Sequence, residues 1–309
     1  MVGLNFILKI ACVLFGIALL AITPMVVFNE AYFNTGFIID VELASKFGDF
    51  FGGFVGTLFS ILSVLLLIYT ISSQYIEASK NKTKDHFFKM LDYHNENVRG
   101  IKVASLEVDK KDVIEEGRRA FVVYKIQFKR LLEAVNEVAL ELSLNLSPAA
   151  KVDIAYMCFF YGQSETWIGF IQGKLSCHAG GIVIADAMLE KVHNNVKLKL
   201  GRTNQTELSS YFRNMYNAIK MVDGDKYLSQ REKNDLIKIY RAQLSNPELY
   251  ILFFNLLSRF GKKWKERCYI TKYELLTNLP HDYCDGYRPS DFFEISYEEE
   301  EIGNWKEIY

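Results

Sequence analysis

Five prolines and five cysteines are few for 309 residues, and neither set clusters. Without Pro-rich or Ser/Gly-rich runs the chain lacks the composition of a long disordered linker. The cysteines are odd in number, far apart and form no CxxC pair, which excludes a disulfide framework. Cys158, Cys177, Cys268 and Cys284 read as reduced thiols. Charge of one sign is also missing. Lys and Arg number 36 against 37 Asp and Glu, so no global basic field draws in nucleic acid.

Catalytic signatures are absent as well: the chain has no GxxxxGK[ST], HExxH, GxSxG or Rossmann glycine fingerprint. Cys177-His178 and His281-x-x-Cys284 are the pairs with ligand-like spacing. With Cys268 the second pair would supply three zinc ligands, but ordinary core and surface roles are the expectation. His94 falls on an apolar helix face, where a hydrogen-bonded core histidine is expected rather than a catalyst. The reading is therefore of a protein without metal, cofactor, small-molecule substrate or bond-making role.

What the chain does have is apolar sequence, half of all residues, crowded into its first quarter. Residues 10–28 (IACVLFGIALLAITPMVVF) carry no charge and would make a helix of about 28 Å, near the hydrocarbon thickness of a bilayer. No small-x-small cleavage site follows, so a retained span is expected rather than a signal peptide. A second uncharged run covers 50–71. The connection 29–49 holds Glu30, Asp40, Glu42 and Asp49 against a single Lys46, whereas Lys80, Lys82, Lys84 and Lys89 follow the second run. The positive-inside tendency then puts both termini in the cytoplasm. The fold class expected is mainly α: a two-helix transmembrane hairpin (1–72, external loop 29–49), an all-α cytoplasmic domain (73–289) and an acidic-aromatic tail (290–309).

The second run opens GDFFGGFVGT. Gly48, Gly52 and Gly56 recur every four residues, with Thr57, Ser60 and Ser63 following, so a helix would carry a stripe of small residues. Such a stripe allows close packing against the first span; it also allows self-association with the hydroxyls lining a polar path. Asp49 reads first as a helix cap, with a ring of acid at a channel mouth as the other possibility.

Beyond the second run the periodicity is helical. Phe87, Phe88, Leu91, His94 and Val98 continue it, and Val113 to Val138 trace a long stripe. Ser147-Pro148 predicts a helix start, and helices are expected near 182–194, 206–222, 230–244, 247–260 and 264–278. Ser229 and Glu232 have the spacing of a capping box. Asn246 is read as the cap of the helix that begins at Asn246-Pro247, with Glu248 in its first turn and Gly261 near its end. Four consecutive glutamates, 298–301, suggest a solvated segment, while Phe292, Phe293, Trp305 and Tyr309 leave room for a docking peptide.

Two stretches, YFRNMYNAIKMVD (211–223) and RAQLSNPELYILFFNLLSRFG (241–261), resemble the signature of the phage abortive infection family, bacterial membrane proteins with two N-terminal spans. GDFFGG (48–53), FFKMLDYHNENVRGI (87–101) and GRRAF (117–121) are similar to its earlier blocks, in the same order. The family-motif positions are Arg213, Asn214, Asn217, Arg241, Gln243, Asn246, Glu248 and Asn255. They are read as a polar hinge between apolar helices or as a surface facing a partner, and Arg213 and Asn217 lie close enough to bond each other. The resemblance implies a defence effector of the bacterial inner membrane, silent until a phage is sensed and then toxic to its own cell. It also implies a restraining partner, a retron reverse transcriptase with its DNA–RNA product or another phage sensor, while the homo-oligomer in lipid is the expectation from the small-residue stripe. Two readings compete. One is a membrane-tethered nuclease, although the Arg-to-His spacing of helical toxin nucleases is missing; the other is a non-toxic scaffold or sensor subunit.

Overall fold

A computed structural model describes residues 13, 16, 17, 20, 41–106, 113–194, 201–295 and 297. The first expected span, 10–28, and the loop 29–40 lie outside these residues, except that Val13, Gly16, Ile17 and Leu20 are helical. The tail from 298 onward also lies outside them. The chain is mainly α and divides into two compact units, residues 1–77 and 78–309.

In the first unit, helix α1 (Val41–Phe50) runs into a π turn (Phe51–Val55) and then into α2 (Gly56–Gly100), a helix of 45 residues whose latter half belongs to the second unit. Residues 41–49 are thus helical where a loop was expected. Asp49 lies inside α1 and caps nothing, because the helix starts eight residues earlier. The π turn also interrupts the four-residue spacing that would align Gly48 with Gly56. Ser60 and Thr70 spend their hydroxyls on the carbonyls of Gly56 and Leu66, at 2.9 and 2.8 Å, and Thr57 does the same to Gly53. These back-bonds let a hydroxyl sit on an apolar helix without an unpaired donor. One helical stretch, Ser45–Gly100, is long and apolar enough to cross a membrane, and none of its most apolar window is buried. Ile61, Val64, Leu65, Leu67, Ile68 and Ile71 are all more than half exposed.

The second unit is a helical body whose core follows from sequence periodicity. After a short antiparallel hairpin, β1 (Lys102–Ala104) with β2 (Ile114–Glu116), comes α3 (Arg118–Glu141). Its stripe of Phe121, Tyr124, Phe128, Leu131, Leu132, Val135 and Val138 is buried. The two strands were not expected; each has only three residues, too few to leave an alternating pattern. α4 (Pro148–Tyr161) starts where predicted, with Ser147 Oγ accepting the Ala150 amide at 3.2 Å and proline in the first turn. Next come α5 (Glu165–Leu175), which the sequence reading missed, α6 (Gly181–Asn194), α7 (Gln205–Gly224), α8 (Gln230–Arg241) and α9 (Asn246–Leu257). The stretch expected as one helix over 264–278 is instead two short ones, α10 (Lys262–Glu266) and α11 (Tyr269–Lys272). Left-handed backbone at Cys268 and Glu274 breaks it.

α9 is the centre of the body. Every side chain from Glu248 to Leu257 is buried, and Phe254 packs on Phe128 of α3 with ring centroids 4.6 Å apart. Tyr156 of α4 receives a hydrogen bond from Asn255 at 2.9 Å. Each large apolar side chain buried here contributes roughly 1.5–3 kcal/mol relative to exposure. α9 ends at Leu257, and Gly261 follows in a 3-10 turn so close to it that a Cβ would stand 2.1 Å from the Leu256 carbonyl oxygen. Gly261→Ala should therefore lower stability by about 1–3 kcal/mol, read as a fall in the thermal midpoint of the detergent-solubilised chain. Gly224→Ala, whose Cβ would meet nothing within 4 Å, is the control and should leave that midpoint nearly unchanged.

Candidate functional site

The latter part of α2 presents Phe87, Leu91, His94 and Val98 on one buried stripe. Their spacing of four, three and four residues is that of a single helix face. The stripe is held by α7, α8 and the start of α9. Phe87 meets Tyr240 with ring centroids 6.2 Å apart, and Asn214 of α7 donates to the Met90 carbonyl at 2.8 Å. Flanking polar contacts extend the grip back along α2. Thr83 donates to Asp225 at 2.6 Å, and Lys80 donates to both oxygens of Glu232 at 3.0 and 3.1 Å. Lys84 stands 3.6 Å from the same carboxylate.

Local sequence explains why these acids are in place. Glu232 closes a capping box with Ser229 at the start of α8. The Ser229 amide and hydroxyl each donate to it at 2.9 Å. The Ser229 backbone bond and Lys80 hold the Glu232 carboxyl down at about 2. Asp225 accepts the amides of Tyr227 and Leu228 at 2.7 Å, fixing the turn between α7 and α8.

At the far end of the stripe lies a buried polar centre. Glu248 is 0% exposed, and its Oε2 accepts the Ser245 amide at 2.8 Å and the Ser245 hydroxyl at 2.6 Å. Ser245 rather than Asn246 is therefore the cap of α9, and Asn246 is the exposed first residue of the helix. Serine and asparagine cap about equally well, so the sequence alone did not fix which of the two neighbours would do it. Tyr211 donates to Glu248 Oε1 at 3.3 Å, Arg118 Nε approaches Oε2 at 3.7 Å, and Arg118 also donates to the Gln243 carbonyl at 2.7 Å. His94 stands between Tyr211 and Tyr240 with ring centroids 4.7 and 4.9 Å away. Its Nε2 is 3.9 Å from Glu248, and among the described residues neither ring nitrogen nor the Tyr240 hydroxyl has a hydrogen-bond partner. Burial, with Arg118 as a second cause, lowers the His94 pKa to about 4.

The other predicted positions are scattered. Arg241 is buried and donates to the Glu274 carbonyl at 2.8 Å. Arg213 and Asn217 are exposed, and no bond joins them. Gly48, Asp49, Gly52, Thr57, Ser60 and Ser63 are exposed in the first unit, and Gly56 is half-buried. His178 Nε2 donates to Asp153 at 2.8 Å rather than pairing with Cys177, and Arg259 clamps the same carboxylate through Nε and Nη2. Burial alone would raise the Asp153 pKa; the bonds from Arg259 and His178 bring it below the usual value. His281 stacks on Tyr297 at 4.2 Å. Among the described residues no three His, Cys, Asp or Glu side chains gather as a metal site.

Residues 203–283 match the family model described as "putative phage abortive infection protein". This supports the family suggested by the sequence motifs. The name implies a role in phage abortive infection. No curated protein and no solved structure matches the chain. The matched segment covers α7 to α11 and supplies most of the grip on α2: Asn214, Asp225, Glu232, Tyr240 and Glu248. Sequence reasoning had chosen Asn214 and Glu248 but missed Tyr211, Tyr240, Asp225, Arg118 and the lysines. The spacing of Lys80, Thr83 and Lys84 on one helix face, opposite an evident capping box, was the available signal.

A neutral buried histidine gives a pH prediction. Unfolded His94 takes up its proton near pH 6.5, whereas the folded residue does so only near 4. Acidification through that window favours unfolding, and this group alone should remove roughly 3 kcal/mol. Thermal melts at stepped pH should show a shallower decline between pH 6.5 and 4 in His94→Leu than in the parent. Parallel declines would mean that His94 titrates normally.

Proposed function

We propose that this chain is a membrane effector of anti-phage defence. In this reading two N-terminal helices span the inner membrane, several copies assemble through the small-residue face, and the assembly permeabilises or depolarises the membrane once a phage-sensing partner releases it. The observation that carries the reading is that the segment matching the abortive-infection family grips the same continuous helix that bears the apolar stretch. A change at α7–α9 has a direct mechanical route into α2, because Lys80, Thr83, Phe87, Met90 and His94 each meet a residue of that segment. Among the described residues nothing lies within 4 Å of where a Cβ on Gly48, Gly52 or Gly53 would be, and small residues of this kind allow close helix packing in lipid. Population of the released state depends on the free energy of the grip, which binding elsewhere on the body can change.

Lys80→Glu with Lys84→Glu replaces attraction to Glu232 by repulsion. That double variant should depolarise uninfected cells, as read by a potential-sensitive dye, and adding Glu232→Lys should restore quiescence. Gly56→Leu should abolish depolarisation in phage-challenged cells while membrane insertion is retained. RNA cleavage with the potential intact would instead favour a membrane-tethered nuclease, and neither effect would favour a scaffold or sensor subunit.

A further inference from the structure

α3 carries a groove on the surface of the body. Arg119, Val122, Val123, Ile126 and Arg130 line it along one helix face, and Glu115 of β2 lines its rim. Val122 is 45% exposed and Ile126 36%, so apolar surface is open to water between two guanidinium groups. Neither arginine has an ion-pair partner among the described residues, and Arg130 Nη1 is closed off from water without a hydrogen-bond partner. A buried guanidinium donor left unpaired costs free energy that a carboxylate would recover. The groove holds about 280 Å³, small for an organic cofactor but suited to one or two peptide side chains.

We propose that residues 298–309 of this same chain dock in this groove. The segment reads EEEEIGNWKEIY, five glutamates against one lysine, with Ile302, Trp305, Ile308 and Tyr309 as apolar partners. Its charge opposes that of Arg119 and Arg130, and its apolar residues match Val122 and Ile126. The described chain also ends close enough. Tyr297 is buried and stacks on His281 at 4.2 Å, and Tyr283 lies under Lys125 of α3, with the Nζ 3.2 Å from its ring centroid. Lys125 directly precedes Ile126. The path from Tyr297 through these side chains to Ile126 is at most about 35 Å, and twelve extended residues span about 40 Å. Docking gives Arg119 and Arg130 carboxylate partners and removes apolar surface from water, and both contributions weaken when the glutamates are removed. This surface is separate from the grip on α2 and does not depend on what the membrane helices do.

A photo-crosslinking residue, p-benzoylphenylalanine, placed at Val122 of the full detergent-solubilised chain tests this. The expected product is monomer-sized, with mass spectrometry locating the crosslink within 298–309. Arg119→Glu with Arg130→Glu should reduce its yield roughly tenfold, and replacing Glu298, Glu299, Glu300 and Glu301 by lysine in that background should restore it. The rescue separates lost charge complementarity from misfolding. A yield unaffected by charge reversal, a crosslink elsewhere in the chain, or a dimer-sized product joining two copies would each overturn the proposal.

Discussion

A carboxylate with no exposure to water, Glu248, fixes the geometry of the body. An isolated buried charge is costly, so the surroundings must answer it. The Ser245 amide and hydroxyl do so at the start of α9, where the helix dipole also favours negative charge. Tyr211 adds a third hydrogen bond and Arg118 a nearby positive charge. Those partners come from α7, α3 and the turn before α9, and His94 brings α2 to the same point. One side chain thereby joins the central helix to the helix that leads back to the apolar stretch.

The centre is incompletely satisfied. His94 and Tyr240, each 1% exposed, keep three polar atoms without hydrogen-bond partners among the described residues. Groups left in that condition reduce the net stability of the docked arrangement, since water would satisfy them on opening. The grip on α2 is consequently a balance. Phe87, Leu91 and Val98 favour the closed form through apolar burial, and His94 and Tyr240 work against it. A balance of this kind lets a modest binding free energy shift the population.

How much of this was legible depended on range. Ser147-Pro148 and the Ser229–Glu232 pair announced their helices because a cap is a local device, read over four residues. The stripe of α3 was legible because one helix face recurs. The break at Cys268 was not, since a left-handed backbone at a non-glycine residue leaves no pattern. Nor was the three-residue hairpin. The site was harder still: Thr83 and Asp225 stand 142 residues apart, and nothing in either neighbourhood names the other. Glu248 stood out through its motif, yet its burial and its meeting with His94 follow from packing that only the folded body specifies.

The two lysines that share Glu232 have a geometric corollary. Lys80 and Lys84 are four residues apart, so a slide of α2 by about 6 Å along its axis would exchange one for the other and keep the carboxylate occupied. The same displacement carries Leu91 into the berth of Phe87 and Val98 into that of His94, substituting aliphatic carbon for an imidazole whose nitrogens are unbonded. That step would also set the amide of Asn95 in the berth of Leu91, among apolar side chains, so the buried stripe holds α2 to the register it has.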